Sequence, residues 1–600
     1  KVPSWMVSEF YTYLVLSDGY DYRNLEAKLP AIFEKYAGPQ LQKAMGITLE
    51  DFVGQGNHLA LKLQPLTDIH LRSDFAFDLA PHGNINYVYI FMAIALFMLL
   101  IACINFMNLS TASASKRAKE VGVRKAVGSG KGDLIEQFLL ESILMASVGL
   151  LIAIFLVKIS LPYFNEIANK NLSFRLFENP WLIPSLLLVA LVTGILAGSY
   201  PAFFLSSLRP DKVLKGNFRS GKQSGRMRSG LVVFQFFLTI TLITSTLVVY
   251  QQLQFIQNTK LGFDTDSILV VPDLWSLKEK ESAFRQFIED DTRVVSASYS
   301  GYLPVGSSYN NNFFLNPLDN NAKSIKTLRY DVDENYIPTL NIEILEGRNF
   351  SKQFSTDSTA IILNEAAVKA FDWQDNALGQ GLTYSNNEGQ KTTYQVVGVV
   401  KDFHFKSLHE KISPLVMVLG GNNGAAVMKV NTPDLANLLA DLKRNWDELS
   451  PDVAFNPSFF DDRIYTTYQA ERRVSTLLNI FSSLTIFVAC LGLFGLTVFT
   501  TERRKKEISV RKVLGATITN IVTLLSKDFL RLVIIAFTLA IPVAWYLMQN
   551  WLTDFAYRIE LRWWFFALAG IMAIGIAFLT VSFQSFKAAI VNPADSLKNE

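Results

Sequence analysis

Four charged residues in two matching pairs are the first candidates for function in this sequence. Glu120 and Arg124 lie four residues apart, as do Glu507 and Arg511. That spacing puts each acid and base on one helix face, where they can pair or present a charged knob to another protein. Both pairs sit in segments of the same order, Arg117-Ala-Lys-Glu-Val-Gly-Val-Arg-Lys-Ala-Val-Gly128 and Arg504-Lys-Lys-Glu-Ile-Ser-Val-Arg-Lys-Val-Leu-Gly515. Patterns for catalysis are missing. The five histidines, His404 and His409 among them, show no His-Glu-x-x-His or paired spacing, so packed or surface roles are expected and no metal. There is no Gly-x-Ser-x-Gly elbow. Gly128-Ser-Gly-Lys131 comes nearest to a phosphate-binding loop, but it lacks the first glycine at the required distance and is followed by Gly132. It reads as a flexible loop, and no cofactor is expected in this chain. Cys103 and Cys490 lie in apolar runs and suggest neither a disulfide framework nor zinc.

The elements that must position these charges follow from composition. The 600 residues are 50% hydrophobic and only 18% charged, with 45 phenylalanines and a mean hydropathy of +0.23. This is the balance of a membrane protein. A net charge of +3 is too small to suggest nucleic acid as a partner. Seven stretches are long and apolar enough to span: Tyr87 to Leu109, Leu139 to Leu161, Trp181 to Leu208, Gly230 to Tyr250, Val474 to Phe499, Leu532 to Leu552 and Trp563 to Phe586. Lysines and arginines cluster after Leu109, before Gly230 and after Phe499, which places those segments in the cytoplasm. Most of these bases suit anionic lipid head groups. The region from Gln251 to about Glu471 has an excess of acids and is expected outside.

The chain contains two copies of one unit. Glu120 and Glu507, Arg124 and Arg511, Gly128 and Gly515, Cys103 and Cys490, and Glu141 and Asp528 all share an offset of 387 residues. Glu141 and Asp528 read as carboxylates favoured by the dipole near the start of their spans. Asn105 and Asn108, matched by Gly492 and Gly495, read as a stripe for close helix packing. The first outer segment echoes the second, with a strand expected at Phe10 to Leu16 and a helix near Tyr22 to Tyr36. Residues 1–86 therefore read as the last part of a first outer domain, and one more span is expected upstream. In the complete outer domain, strands are expected at Ile268 to Val271, Ala360 to Leu363, Tyr394 to Val400, Leu415 to Leu419 and Ala426 to Val430. Helices are expected near Leu277 to Glu289, Asn364 to Phe371 and Pro433 to Leu449. Tyr250 to Thr259 and Tyr468 to Ser475 should continue the adjoining spans as stalks.

The doubled segment, Tyr394-Gln-Val-Val-Gly-Val-Val-Lys-Asp-Phe-His404, Gly347-Arg-Asn-Phe350 and Asn592-Pro593 resemble the FtsX-like permeases of MacB-type ABC transporters, in the arrangement with two fused permease units. The resemblance implies a polytopic α-helical membrane protein with a mixed α/β MacB-like periplasmic core domain, in a bacterial inner membrane. It implies that the short helix after the second span of each unit docks on a separate ABC ATPase, one helix for each of two ATPase copies. ATP and magnesium would be bound by that partner. The residues assigned to docking are Glu120, Val121, Gly122, Arg124, Lys125 and Gly128, with Glu507, Ile508, Arg511, Lys512 and Gly515. Residues 1–86 would be outer, 87–208 the first permease domain, 209–229 a cytoplasmic linker and 230–250 the next span. Residues 251–473 would form the core domain with its stalks, 474–586 the second permease domain and 587–600 the tail.

The reading is an ABC permease subunit without catalytic residues, moving or extracting a peptide, lipid, lipoprotein or drug, or transmitting motion. A membrane lipid surface and a periplasmic adaptor or effector are further partners it leaves open. A secondary transporter is one rival, although it calls for ionisable groups near mid-span, which these spans hardly offer. A membrane-anchored extracytoplasmic sensor or scaffold is the other.

Overall fold

The structure is a computed structural model that describes residues 5, 12–45, 48–54, 61–73, 83–207, 222–304, 311–318, 324–373, 376–386, 390–421 and 423–590. Most of the 209–229 linker and all but the start of the 587–600 tail lie outside the described residues. The chain forms two compact units: an outer one of Lys1–Ile85, Asn258–Gln469 and Phe555–Tyr557, and a membrane one of Asn86–Gln257, Ala470–Asp554 and Arg558–Glu600.

Among the described residues, seven helices are long and apolar enough to cross a membrane. They belong to α1 (Ile85–Ala126), α2 (Lys131–Ala168), α3 (Leu182–Ser206), α4 (Lys222–Asn258), α5 (Gln469–Arg503), α7 (Ile518–Leu552) and α8 (Trp563–Ile590), with the shorter α6 (Lys505–Val513) between α5 and α7. All but α3, which stops at Ser206, are longer than the apolar run in the sequence, because a helix goes on satisfying its own backbone after the chain turns polar. In the second copy, Val232, Phe236 and Ile240 of α4 pack with Leu493 and Leu496 of α5 and with alanines on α7 and α8. Those alanines, Ala536, Ala540 and Ala544 on α7 and Ala569, Ala573 and Ala577 on α8, recur every four residues on a buried face. Small side chains at that spacing let two helices approach closely, which is how helices gain contact in a bilayer. Some polar groups pair between helices inside the unit: Asn105 Nδ2 donates to Val488 O at 2.7 Å, Gln235 Nε2 to Ala489 O at 3.1 Å, and the hydroxyls of Thr246 and Ser482 are 2.8 Å apart.

Among the described residues of the outer unit, eleven strands form one sheet: β1 (Ile268–Pro272), β2 (Val294–Ser300), β3 (Asn312–Pro317), β4 (Ile325–Val332), β5 (Ile344–Gly347), β6 (Ala360–Asn364), β7 (Gly381–Ser385), β8 (Lys391–Val400), β9 (Leu415–Leu419), β10 (Ala425–Val430) and β11 (Ser458–Phe459). The order β4-β3-β7-β8-β6-β9 closes on itself through a parallel β4–β9 pairing, while β11-β1-β10-β2 forms an open wing. β6 is buried along its whole length. Ile361 and Leu363 join one core and Ile362 another, as the period of two in a strand requires. The wing is covered by helices Glu281–Glu289 and Leu435–Leu449, where Phe284 meets the Trp446 ring edge-on at 5.3 Å.

One loop of this unit gathers three segments. His404 N donates to Leu261 O at 2.7 Å, just past the end of α4, and Leu408 N donates to the Tyr468 hydroxyl at 2.8 Å, just before α5. Tyr557 N donates to Leu408 O at 3.2 Å, Phe555 stacks on His409 at 4.2 Å, and Tyr557 meets His404 edge-on at 4.6 Å.

Two expectations fail. Thr12 to Leu16, the described part of the strand expected from Phe10, is irregular chain, whereas the helix that follows forms as Tyr22–Glu26 and Leu29–Met45. Alternation alone does not make a strand without a neighbour to complete its hydrogen bonds. The second concerns Glu141 and Asp528, which lie ten residues inside α2 and α7, beyond the reach of the helix dipole. Their partners are arginines.

Candidate coupling site

In each copy the docking segment and the start of the next span form a helical hairpin. Gly128 and Gly515 close the first arm with φ of +110° and +94°. Ser129 N donates to Arg124 O and Gly128 N to Lys125 O, while Ala516 N donates to Arg511 O and Gly515 N to Lys512 O. This pattern satisfies the last helical carbonyls and needs a left-handed residue, hence glycine. The next helix is capped differently in the two copies: Asp133 accepts from Gly130 N at 2.9 Å, and Thr517 accepts from Asn520 N at 3.3 Å. The Gly128-Ser-Gly-Lys131 stretch is thus a helix cap followed by a helix start, with Lys131 as the first residue of α2.

Inside the hairpin, Val121 packs with Leu134 and Phe138, and Ile508 with Ile521 and Leu525, at the same 387-residue offset. Of the eleven assigned residues, Val121, Gly122 and Ile508 are therefore turned into the protein. Lys125 Nζ donates to Ser206 O at 2.6 Å and so helps cap α3. Glu120 pairs with Arg124 at 2.7 Å and Glu507 with Arg511 at 2.8 Å, both on exposed faces. Arg124 also donates to Gln137 at 2.7 Å. At the base, Arg117 pairs with Glu141 at 2.8 Å and Arg504 with Asp528 at 3.1 Å.

The copies differ in one respect. The resemblance implies a short separate helix in each, but in the first copy the segment is the end of α1, unbroken to Ala126. In the second, Arg504 leaves helical geometry and separates α5 from α6.

The site also holds apolar residues that the charge pattern did not single out. Val127 is 83% exposed and Leu514 81%, and Val123 and Val510, one turn earlier, are about half exposed. Apolar side chains at i and i+4 beside a charged pair give each hairpin tip a greasy knob with an ionic rim. The signal was present in the sequence, since both pairs obey the offset and lie two residues, or about 200°, around from the buried Val121 and Ile508.

Among the described residues, no group of three or more histidine, cysteine, aspartate or glutamate side chains is placed to hold a metal. His404 is half-buried, and burial lowers its pKa, which suits packing rather than proton transfer.

Seven spans, a folded outer unit and a duplicated hairpin define a multi-pass membrane protein with an extracytoplasmic domain. The family profile described as FtsX-like permease C-terminal matches residues 92–210 and 479–593, and the one described as MacB-like periplasmic core domain matches residues 236–435. The chain belongs to the FtsX-like permeases of MacB-type ABC transporters. A relative from Campylobacter jejuni, named macrolide export ATP-binding/permease protein MacB, is 27% identical over 121 residues, 20% of this chain and 18% of the relative. The protein of that name from Escherichia coli is 26% identical over 145 residues, 23% of this chain and 22% of the relative. The chain thus spans about a fifth of the length of these relatives. A crystal structure of the periplasmic region of MacB from Actinobacillus actinomycetemcomitans is similar at 15% identity with a TM-score of 0.26, covering 35% of this chain and 96% of that one. A score that low adds no weight.

Proposed function

We propose that this chain is the membrane subunit of an ABC transporter in a bacterial inner membrane, and that it couples ATP hydrolysis on a separate ATPase to conformational change in its outer domain. What supports the reading is the pair of hairpins, each with an exposed apolar tip and a charged rim, in a sequence without a phosphate-binding loop. Energy then enters by contact, with one hairpin for each of two ATPase copies. Glu120, Arg124, Glu507 and Arg511 form the rim, Val127 and Leu514 the tip, and the buried Val121, Gly122 and Ile508, with the glycine caps, hold the shape. Lys125 and Lys512 complete the basic edge. ATP and magnesium belong to the partner. The outer domain delivers the motion to a cargo, an adaptor or an effector.

The test is co-purification of an ATPase with the full chain, followed by ATP turnover in nanodiscs for wild type, each single variant and Glu120→Lys with Glu507→Lys. The double variant folds and inserts, because these side chains are exposed, but it loses association and turnover by more than either single change. Unchanged association in the double variant would return the charges to contact with lipid and favour the sensor reading.

A further inference from the structure

Arg117–Glu141 and Arg504–Asp528 are 24 residues apart in sequence in both copies, and both bridge a docking segment to the third turn of the span that follows. A half-exposed ion pair contributes only about 0–1 kcal/mol, so stability is a weak reason to have two of them. The turns that carry the acids are polar, with Glu136 and Gln137 before Glu141 and with Lys527 and Arg531 beside Asp528, and both acids are about half exposed, so the cost of burial does not explain the pairing either. The copies use different acids, Glu141 in one and Asp528 in the other, yet in each the acid meets the arginine at the same offset.

The pairs are the third and lowest of three attachments in each hairpin. The glycine cap fixes the tip, and the Val121 or Ile508 contacts hold the middle. Two attachments near the tip leave the base free to splay, whereas a third at the base makes the two arms one body. The arms differ on their other side. The first segment is continuous with α1, while the second is separated from α5 at Arg504. In the second copy, therefore, the pair supplies the base of the segment with its connection to a span.

We propose that Arg117–Glu141 and Arg504–Asp528 are positioning pairs that lock each docking segment to the following span, so that displacement of the segment is carried into α2 and α7. The proposal rests on the reading of these segments as docking sites, but the pairs themselves are tested without any partner. Spin labels are placed near the base of each docking segment and on the span that follows, at Glu120 and Met145 for the first hairpin and at Glu507 and Ile535 for the second, all exposed positions. The full chain in nanodiscs then gives a distance distribution for each pair of labels.

Glu141→Ala should broaden the first distribution about twofold, and Asp528→Ala the second by more, since α6 lacks the continuous helix that supports the first segment. The reversed pair, Arg117→Glu with Glu141→Arg, should narrow it again, a rescue that a general loss of structure would not show. If Glu141→Ala reduces recovery of inserted protein, Glu141→Gln keeps the shape and is read instead. Unchanged widths in the single variants, or a reversed pair as broad as the single change, overturn the proposal. No ATPase is in the sample, so failed docking and failed locking give separate results.

Discussion

Asn105 and Gly492 occupy the same place in the two repeats and pack against each other. A Cβ added to Gly492 would lie 1.8 Å from Asn105 Oδ1, and Asn105 Nδ2 donates to Val488 O, one turn before Gly492. Residues related by a duplication touch their own equivalents only where the axis relating the two copies passes between them. This contact therefore marks where α1 and α5 meet through the same face. One copy keeps the amide and the other gives up its side chain to receive it.

Gly492→Ala should destabilise the membrane unit by about 1–3 kcal/mol, the cost of overpacking, and displace the Asn105 amide from Val488 O. Asn105→Ala in the same background should recover part of the loss, since it removes the clashing group. Thermal unfolding in detergent of both singles and the double gives the coupling. Fully additive losses would show that the two do not share a contact.

At the hairpin tips, Val127→Ser and Leu514→Ser should change stability by no more than about 0.5 kcal/mol, because both side chains already face solvent. Their combination should still weaken ATPase association by at least about tenfold, as expected where exposed apolar residues form the centre of a contact. Binding measured by surface capture of the full chain, with melting as the control, checks both parts.

Asp333 is buried beneath β2, where it accepts from the Ser298 hydroxyl at 2.6 Å and Tyr299 N at 2.9 Å. Burial, and the nearby Glu334, push its pKa up to about 6 against those two hydrogen bonds. The folded form then holds a proton that the unfolded chain releases near pH 4, so raising the pH from about 4 to 6 lowers stability by about 2 kcal/mol. Asp333→Asn should flatten this dependence, read as hydrogen exchange along β2 in the full chain. An equal slope in the variant would assign the effect elsewhere.

The opposite sign holds at Asp357, a fully buried carboxylate that takes two hydrogen bonds from Arg348, at 2.8 and 2.6 Å, and one from Ser351 N. The Arg348 guanidinium holds its pKa below the ordinary carboxylate value. Its stabilisation is present at neutral pH and is lost as the pH falls below the range where an unfolded aspartate titrates. Arg348→Ala should cost about 3 kcal/mol, and more than Asp357→Ala, because it strands a buried charge while the reverse leaves an arginine that can reach water. Urea unfolding of the three proteins at pH 7 ranks them.

The spans and the duplication were legible because each depends on local composition or a fixed offset. The buried strands β1, β6, β8, β9 and β10 were legible as well, as runs of Val, Ile, Leu and Ala. β3 and β4 were not, since Asn312, Asn316, Lys326, Arg329 and Asp331 break their apolar character. Their charge is settled in three dimensions, with the Arg329 guanidinium 5.0 Å above the Phe313 ring and paired to Asp331. At the docking segments, the acids and bases were recognisable from their repeat. The offset and the helical spacing set Val510 and Leu514 on a different face from Ile508, but only the hairpin decides which of the two faces meets water. Glu141 and Asp528 were misread because helix starts were placed by hydropathy, whereas caps at Gly130 and Thr517 begin α2 and α7 earlier.

The loop at His404 in the outer unit and the hairpins of the membrane unit are held by different kinds of contact, and salt tells them apart. Around His404, Leu408 and His409 the outer fastenings are backbone hydrogen bonds and aromatic faces. At the bases of the hairpins they are guanidinium–carboxylate pairs. Screening shortens the reach of a charge from about 10 Å at 0.1 M salt to about 3 Å at 1 M but leaves ring stacking and short amide bonds almost untouched. Raising the salt should therefore loosen the bases of the hairpins while the packing around His404 and His409 keeps its strength.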